Sequence, residues 1–357
     1  MPGRKVLGEE KASAGVAIAV VGIVVIIALM AGLVYLYTQT GIITTTTFST
    51  TVVQLGSQNY TSTVQQSQIN QSYYDIYVLS LINKDRNQYG LPNVTLSTEP
   101  SAQQHANNML QNYYLSHWDV FGMKPYMRYT LLGGTQAVSE NIAFNGSEIC
   151  ELSLCTGDVN VKSALASMEY DMMYNDYNCC DNGHRDNILD PYHNQVSIGV
   201  AYNSGIAYLV EDFIGNYTTW TGGSPQFSNN VATLSGSLTS GYSISSVEVS
   251  YDAPLINMTQ AQLNATGSYG YGPAIAGVVS NPLYYYNNIT TIVANKYSTN
   301  GNDFDISFNM QKLIQQYGPG EYTLLIWLNN TSGGSFIGST YTIFINSNDE
   351  AYTPSGV

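Results

Sequence analysis

The stretch from Gly183 to Val200 leaves this chain the fewest ways to fold. Gly183 and Pro191 bracket a short helical turn. Ile188 and Leu189 can bury on one side of it while His184 points the other way. The alternation Val196, Ile198, Val200 then predicts a strand with one buried face. A histidine placed on such a turn needs partners, and three segments upstream offer them. Ser116-His117-Trp118 and Ser139-Glu140-Asn141-Ile142-Ala143 each set a titratable group beside apolar residues. Glu169 follows, in the helix-like run Ser167-Met168-Glu169-Tyr170. These two histidines and two glutamates are dispersed along the chain, each in a half-apolar context, and are expected to converge on one cleft.

In order, these motifs resemble the CAP superfamily, also called the SCP or PR-1-like domain. The resemblance runs from about Ser72 to Asn216 and rests on Gly-His-Arg-x-Asn-Ile-Leu, on Glu-Asn-Ile-Ala and on the preceding histidine. It also rests on Leu81-Ile82-Asn83-Lys84-Asp85-Arg86-Asn87-Gln88-Tyr89-Gly90-Leu91 near the start. It implies an α+β fold, the CAP-type three-layer α/β/α sandwich. It also implies a His-Glu-Glu-His tetrad in a central cleft, which falls on His117, Glu140, Glu169 and His184. The family's usual tryptophan near the Glu169 helix is missing. Two neutral imidazoles can ligate a divalent ion such as Zn²⁺, and neighbouring carboxylates can orient the rings or act on bound water. The rival reading is a hydrogen-bonded polar cluster that ties the Glu140 strand to the His184 turn. Lipid or sterol binding, cell-wall and signalling roles are what the family implies for function.

The organisation around this region is read from the residues. Positions 1–12 form a short tail with Arg4, Lys5 and Lys11. Ala14–Tyr37 is uncharged and mostly aliphatic, long enough for a membrane span over 13–37. The basic tail puts the amino end inside and the bulk of the chain outside the cell membrane. Residues 38–71 are rich in Thr, Ser and Gln and predict a flexible linker. The CAP-like domain is expected at 72–216, with helices near Ser72–Tyr89, after Pro100 and around Glu169, and a hairpin at Val196–Phe213. Gly222-Gly223-Ser224-Pro225 reads as a linker. Residues 225–347 show period-two runs with Gly- and Asn-rich turns, and Gly320–Trp327 resembles a tyrosine-corner strand, so an all-β Ig-like sandwich is expected.

Charge and cysteine usage narrow the function. There are 25 acidic and 11 basic residues, a net charge of −14, with no basic stripe to neutralise phosphates, which excludes a nucleic-acid partner. Only 10% of residues are charged, so neutral polar groups hydrate the surface, as suits an exported protein or an acidic habitat. Ten Asn-x-Ser/Thr sequons lie beyond the apolar run and fit a glycoprotein. Cys150, Cys155, Cys179 and Cys180 read as two disulfides. Adjacent cysteines are poor partners, so Cys179 and Cys180 are expected to pair with Cys150 and Cys155. The expected function is a membrane-tethered extracellular protein that binds a lipid or cell-envelope ligand, with a divalent metal at the tetrad. The alternatives are a metal-dependent hydrolase or peptidase and a non-catalytic adhesion protein. There is neither a His-Glu-x-x-His helix nor a Gly-x-Ser-x-Gly elbow to favour the hydrolase.

Overall fold

The computed structural model describes residues 61–146, 150–151, 154–155 and 158–354. The span expected at 13–37 lies outside them, as does most of the 38–71 linker. Among the described residues no helix is long and apolar enough to cross a membrane. Tyr60–Val357 forms one compact unit.

Its first half runs α1 (Thr61–Gln88), β1 (Thr95–Leu96), α2 (Ser101–Asn112), α3 (Pro125–Leu131) and β2 (Ala137–Gly146). A small hairpin follows, β3 (Cys150–Glu151) and β4 (Leu154–Cys155), then α4 (Val161–Tyr174), α5 (Tyr177–Cys180) and α6 (Gly183–Leu189). The hairpin β5 (Gln195–Tyr202) and β6 (Ile206–Gly215) completes it. Helix α1 thus reaches back to Thr61, into the stretch expected to be linker. The sheet order is β1-β5-β6-β2, with β1 parallel to β5 and the other pairs antiparallel.

Alternation along the hairpin builds the three layers. Val196, Ile198 and Val200 pack with Val78 and Ile82 of α1, Leu165 and Met168 of α4 and Ile188 of α6. Residues of the opposite parity face α2: Ala201 clusters with Ala102, Ala106 and Met109. Gly199 sets the closeness of this second contact. A Cβ there would meet the Ala102 carbonyl oxygen at 2.1 Å, so only glycine lets helix and strand approach this far. Arg86 is fully buried and ties α1 to the far end of α6. Its Nη1 donates to the Ile188 and Asp190 carbonyls at 2.7 and 2.9 Å, and its Nη2 to the His193 carbonyl at 3.1 Å.

The second half is a two-sheet β-sandwich. Its strands are β7 (Thr218–Trp220), β8 (Gln226–Ser228), β9 (Val231–Leu238) and β10 (Tyr242–Asp252). After α7 (Gln260–Leu263) come β11 (Ala274–Val279), β12 (Thr290–Val293), β13 (Lys296–Asn300) and β14 (Asp303–Asn309). Helix α8 (Gln311–Tyr317), β15 (Gly320–Asn330) and β16 (Ser335–Ile345) end it. One sheet is ordered β12-β11-β10-β15-β16, the other β13-β14-β9-β7 with β8 also on β9. Leu234, Ile306 and Phe308 from one meet Val247, Leu324 and Ile343 from the other in a shared core. The Tyr322 hydroxyl donates to the Gly318 carbonyl at 2.6 Å, the tyrosine-corner bond. The chain has entered this sandwich before Gly222-Gly223-Ser224-Pro225: β7 already pairs with β9, and Trp220 is in the core. Those residues therefore turn β7 into β8 and do not link two domains.

The two halves are fused. Met123, Tyr126 and Met127 around α3 share a cluster with Phe344 of β16, and Tyr269 and Tyr271 pack on it. Lys124 and the Tyr126 hydroxyl both bond the Asp252 carboxylate, at 2.6 and 2.7 Å. The Ser339 and Thr340 hydroxyls donate to the Thr135 and Gln136 carbonyls at 2.6 and 3.1 Å.

The cysteines depart from expectation. Cys179 and Cys180 are bonded to each other, not to Cys150 and Cys155. The backbones of Cys150 and Cys155 are direct neighbours across the β3–β4 hairpin. Their side chains lie outside the described residues.

Candidate functional site

Among the described residues, strand β2 is an edge of the four-stranded sheet, paired only with β6. A cavity of about 690 Å³ runs along this edge. His117, Glu140 and His184 all line it. Leu115, Val138 and Ile142 give it apolar walls, and residues 266–271 of the sandwich close one side. Three of the four expected tetrad residues therefore meet at one cavity.

His117 reaches it from the α3 side. Its Nδ1 lies 2.9 Å from Glu140 Oε1, while Arg128 Nη2 donates to Glu140 Oε2 at 2.6 Å. Arg128 also donates to the carbonyls of His117 and Met123, both at 2.7 Å, and so fixes the segment that carries His117. Burial pulls the His117 imidazole down to about 3, with the Arg128 charge adding to it. The ring is therefore neutral at pH 7. With an acceptor carboxylate at Nδ1, the proton sits on Nδ1 and Nε2 keeps its lone pair. Burial raises Glu140 to about 7 against the pull of Arg128. Its cross-strand neighbour Asp212 is also raised to about 7, first by burial and then by the Glu140 charge. One guanidinium balances one carboxylate, so the second carboxyl of this pair tends to hold a proton.

His184 reaches the cavity from the other face, on α6. Asp176, just before α5, holds it in place. Its Oδ2 accepts the backbone N–H of His184 at 2.8 Å and of Arg185 at 3.1 Å. Its Oδ1 lies 2.6 Å from His184 Nδ1. Asp181 and Asn182 take left-handed φ values of 51° and 64°, which turn the chain back over Asp176. Asn141 closes the link to β2: its amide donates to the His184 carbonyl at 3.1 Å and accepts from Asn187 at 2.9 Å.

Glu169 does not join this group. It is buried on α4 and lies against Glu211, on the opposite face of the sheet from Glu140. The alternation of β2 sets this: Glu140 shares a face with Val138 and Ile142, whereas its neighbour Asn141 bonds Glu211 at 3.3 Å. Burial, then the Glu211 charge, lifts the Glu169 carboxyl well above its usual range, which favours a proton shared within the pair. His105 and His193 are core histidines, bonded to the carbonyls of Ser116 at 2.8 Å and Asn187 at 2.9 Å.

Asp176, Arg128 and Tyr269 were not singled out from the sequence. Tyr269 comes from the sandwich, yet its ring lies 4.7 Å from that of His117. Asp176 did carry a signal, an acid eight residues before His184 and ahead of a tight turn. Tyr269 carried only Gly-Ser-Tyr-Gly-Tyr-Gly, a loop composition that many surfaces share.

Residues 79–219 match the model of the family described as CAP, the cysteine-rich secretory protein family. Among solved structures, the chain is similar to an extracellular protein containing an SCP domain from Bacillus anthracis str. Ames. That match has 21% identity, covers 45% of each chain and gives a TM-score of 0.32. The chain thus spans under half the length of that protein. It is also similar to an outer surface protein from Borrelia burgdorferi, at 14% identity over 45% of this chain and 99% of that one, with a TM-score of 0.28. Among curated proteins none matches the chain.

Proposed function

We propose that this is an exported CAP-type protein that binds a small amphipathic ligand in the β2 cleft, with a divalent cation held by His117 and His184. One observation carries the reading: each imidazole has a buried carboxylate at Nδ1, Glu140 for one and Asp176 for the other, at 2.9 and 2.6 Å. That arrangement is how proteins orient histidine for metal, because it leaves Nε2 as the ligating atom. Two imidazoles suit Zn²⁺. When bound, such an ion would polarise an oxygen of the ligand or of water. Glu140 spends both oxygens on Arg128 and His117, so its part is to orient. Glu169, neutral and on the other face, does not fit as a ligand. The cavity volume suits one small molecule, and its Leu115, Val138 and Ile142 walls suit an acyl or other apolar part.

We further propose that the chain acts outside the cell, tethered through residues 13–37. The Cys179–Cys180 disulfide and the low charge content support that compartment. The tyrosine corner at Tyr322 supports an Ig-like identity for the sandwich. The test is the zinc content of the full chain after loading and desalting. One ion per chain, lost in H117A/H184A with the fold kept by circular dichroism, bears the reading out. Equal zinc in both proteins would reject it.

A further inference from the structure

A second group of ligating side chains lies at the rim of the cleft. Ligand atoms of Asp176, Cys179, Cys180 and His184 all fall within 4.8 Å of one another. As they stand, the two sulfurs are bonded together and offer no thiolate. Cys179 Sγ lies 3.5 Å from Asp176 Oδ1; a disulfide sulfur carries no proton, so this is a contact and not a hydrogen bond. Cys179 is exposed and Cys180 half-buried, so a reductant reaches them. Asp176 is buried and already aimed at the cluster, and both cysteines line the same cavity as His184.

We propose that these four residues form a thiol-switched metal site, closed as the disulfide and opened by reduction to a Cys₂-His-carboxylate set for a soft divalent cation such as Zn²⁺ or Cd²⁺. An external dithiol supplies the two electrons and two protons. Its thiolate attacks one sulfur, the other cysteine leaves as a thiolate, and the reductant's second thiol closes its own disulfide and frees the first cysteine. Each cysteine then gives its remaining proton to solvent as it binds the cation. Two thiolates, one imidazole and one carboxylate make the four-ligand set that Zn²⁺ favours. Metal capture at the rim takes Asp176 and His184 away from their roles in the cleft. The state of the disulfide thereby decides which of two sites His184 serves. This inference does not depend on a cation in the cleft, because it requires neither His117 nor Glu140.

Residue-level alkylation of the full chain tests it. The protein is reduced with a phosphine, desalted without oxygen, and treated with iodoacetamide with and without Cd²⁺. Cys179 and Cys180 should resist alkylation before reduction, react after it, and be slowed at least ~10-fold by Cd²⁺. The D176N and H184A variants should lose about tenfold of that protection, and H117A should keep it. Equal alkylation rates with and without Cd²⁺ would overturn the site. Protection unchanged in D176N and H184A would overturn it too, since two thiols alone would then be the ligands. Ready alkylation without reductant would overturn the switch. Loss of zinc in H117A with Cd²⁺ protection intact would separate the cleft from the rim.

Discussion

The hydroxyl of Tyr269 accepts the backbone N–H of Glu140 at 2.8 Å, although 129 residues separate them. Glu140 lies on an edge strand, so this N–H has no neighbouring strand to bond. The sandwich supplies the missing acceptor and lays the same ring on His117. Removing the hydroxyl in Y269F should cost about 1 kcal/mol, the worth of one hydrogen bond to a shielded donor. Removing the ring in Y269A should cost ~2 kcal/mol and loosen His117. Urea midpoints measure the first effect, and zinc affinity of the two variants measures the second.

Glu140 and Glu169 should respond unequally to the same change. E140Q swaps one acceptor oxygen for an amide that can only donate, so either Arg128 Nη2 or the His117 Nδ1–H loses its acceptor, and a loss of about 2 kcal/mol is expected. E169Q replaces a carboxyl whose neutral form burial already favours, so it should shift stability by under ~1 kcal/mol and leave metal content unchanged. Denaturant titration with metal analysis of both variants checks this; a large loss in E169Q would show that its carboxylate is charged after all.

Stability should fall as the solution turns alkaline. Burial raises Glu321 to about 8 and Glu140 and Asp212 to about 7, and it raises Glu169 and Glu211 as well. Unfolded carboxyls titrate near ~4. Each of these groups therefore adds stability that is complete below about pH 4 and lost as pH rises through the folded value. His117 works the other way. Its folded value is depressed to about 3, so its contribution is complete above about 6.5 and lost as pH falls below that. Buried His105 and His193 shift in the same sense. The two sets oppose each other in acid, whereas from pH ~6.5 to ~8.5 the raised carboxyls set the slope. Urea midpoints should drop across that upper window, and E321Q should flatten the drop.

Asp176 is expected to matter to the cleft as much as a ligand does. D176N keeps the size but loses the charge that orients His184 Nδ1 and accepts two backbone N–H groups. Zinc affinity should fall ~10-fold or more, with ~1 kcal/mol of stability lost at the start of α6. Isothermal titration on D176N and wild-type chains compares the two.

Local pattern made much of the fold readable. Val196, Ile198 and Val200 announced β5 because a half-buried strand repeats every two residues. The Glu169 run announced α4 because Leu165, Met168 and Met172 repeat at helical spacing. His117, Glu140 and His184 were legible as a group through their flanking motifs. Glu169 was misplaced for a physical reason: helical spacing marks a side chain as buried without saying which face of the sheet it meets. The Cys179–Cys180 bond was missed because it depends on the backbone of one short turn, which has no periodic signature. Tyr269 and the Lys124–Asp252 pair belong to contacts between distant segments, and Gly222-Gly223 mimicked a linker because a tight turn draws on the same residues.

The seam between the two halves makes the protein harder to divide than its string of motifs suggests. A fragment stopped at Asn216 would bare the outer side of β2 and uncover Tyr126, Met127 and Val138. Such an edge recruits other strands, so the fragment would self-associate rather than display a working cleft. Neither part could be traded for an unrelated module without rebuilding the wall it shares with the other.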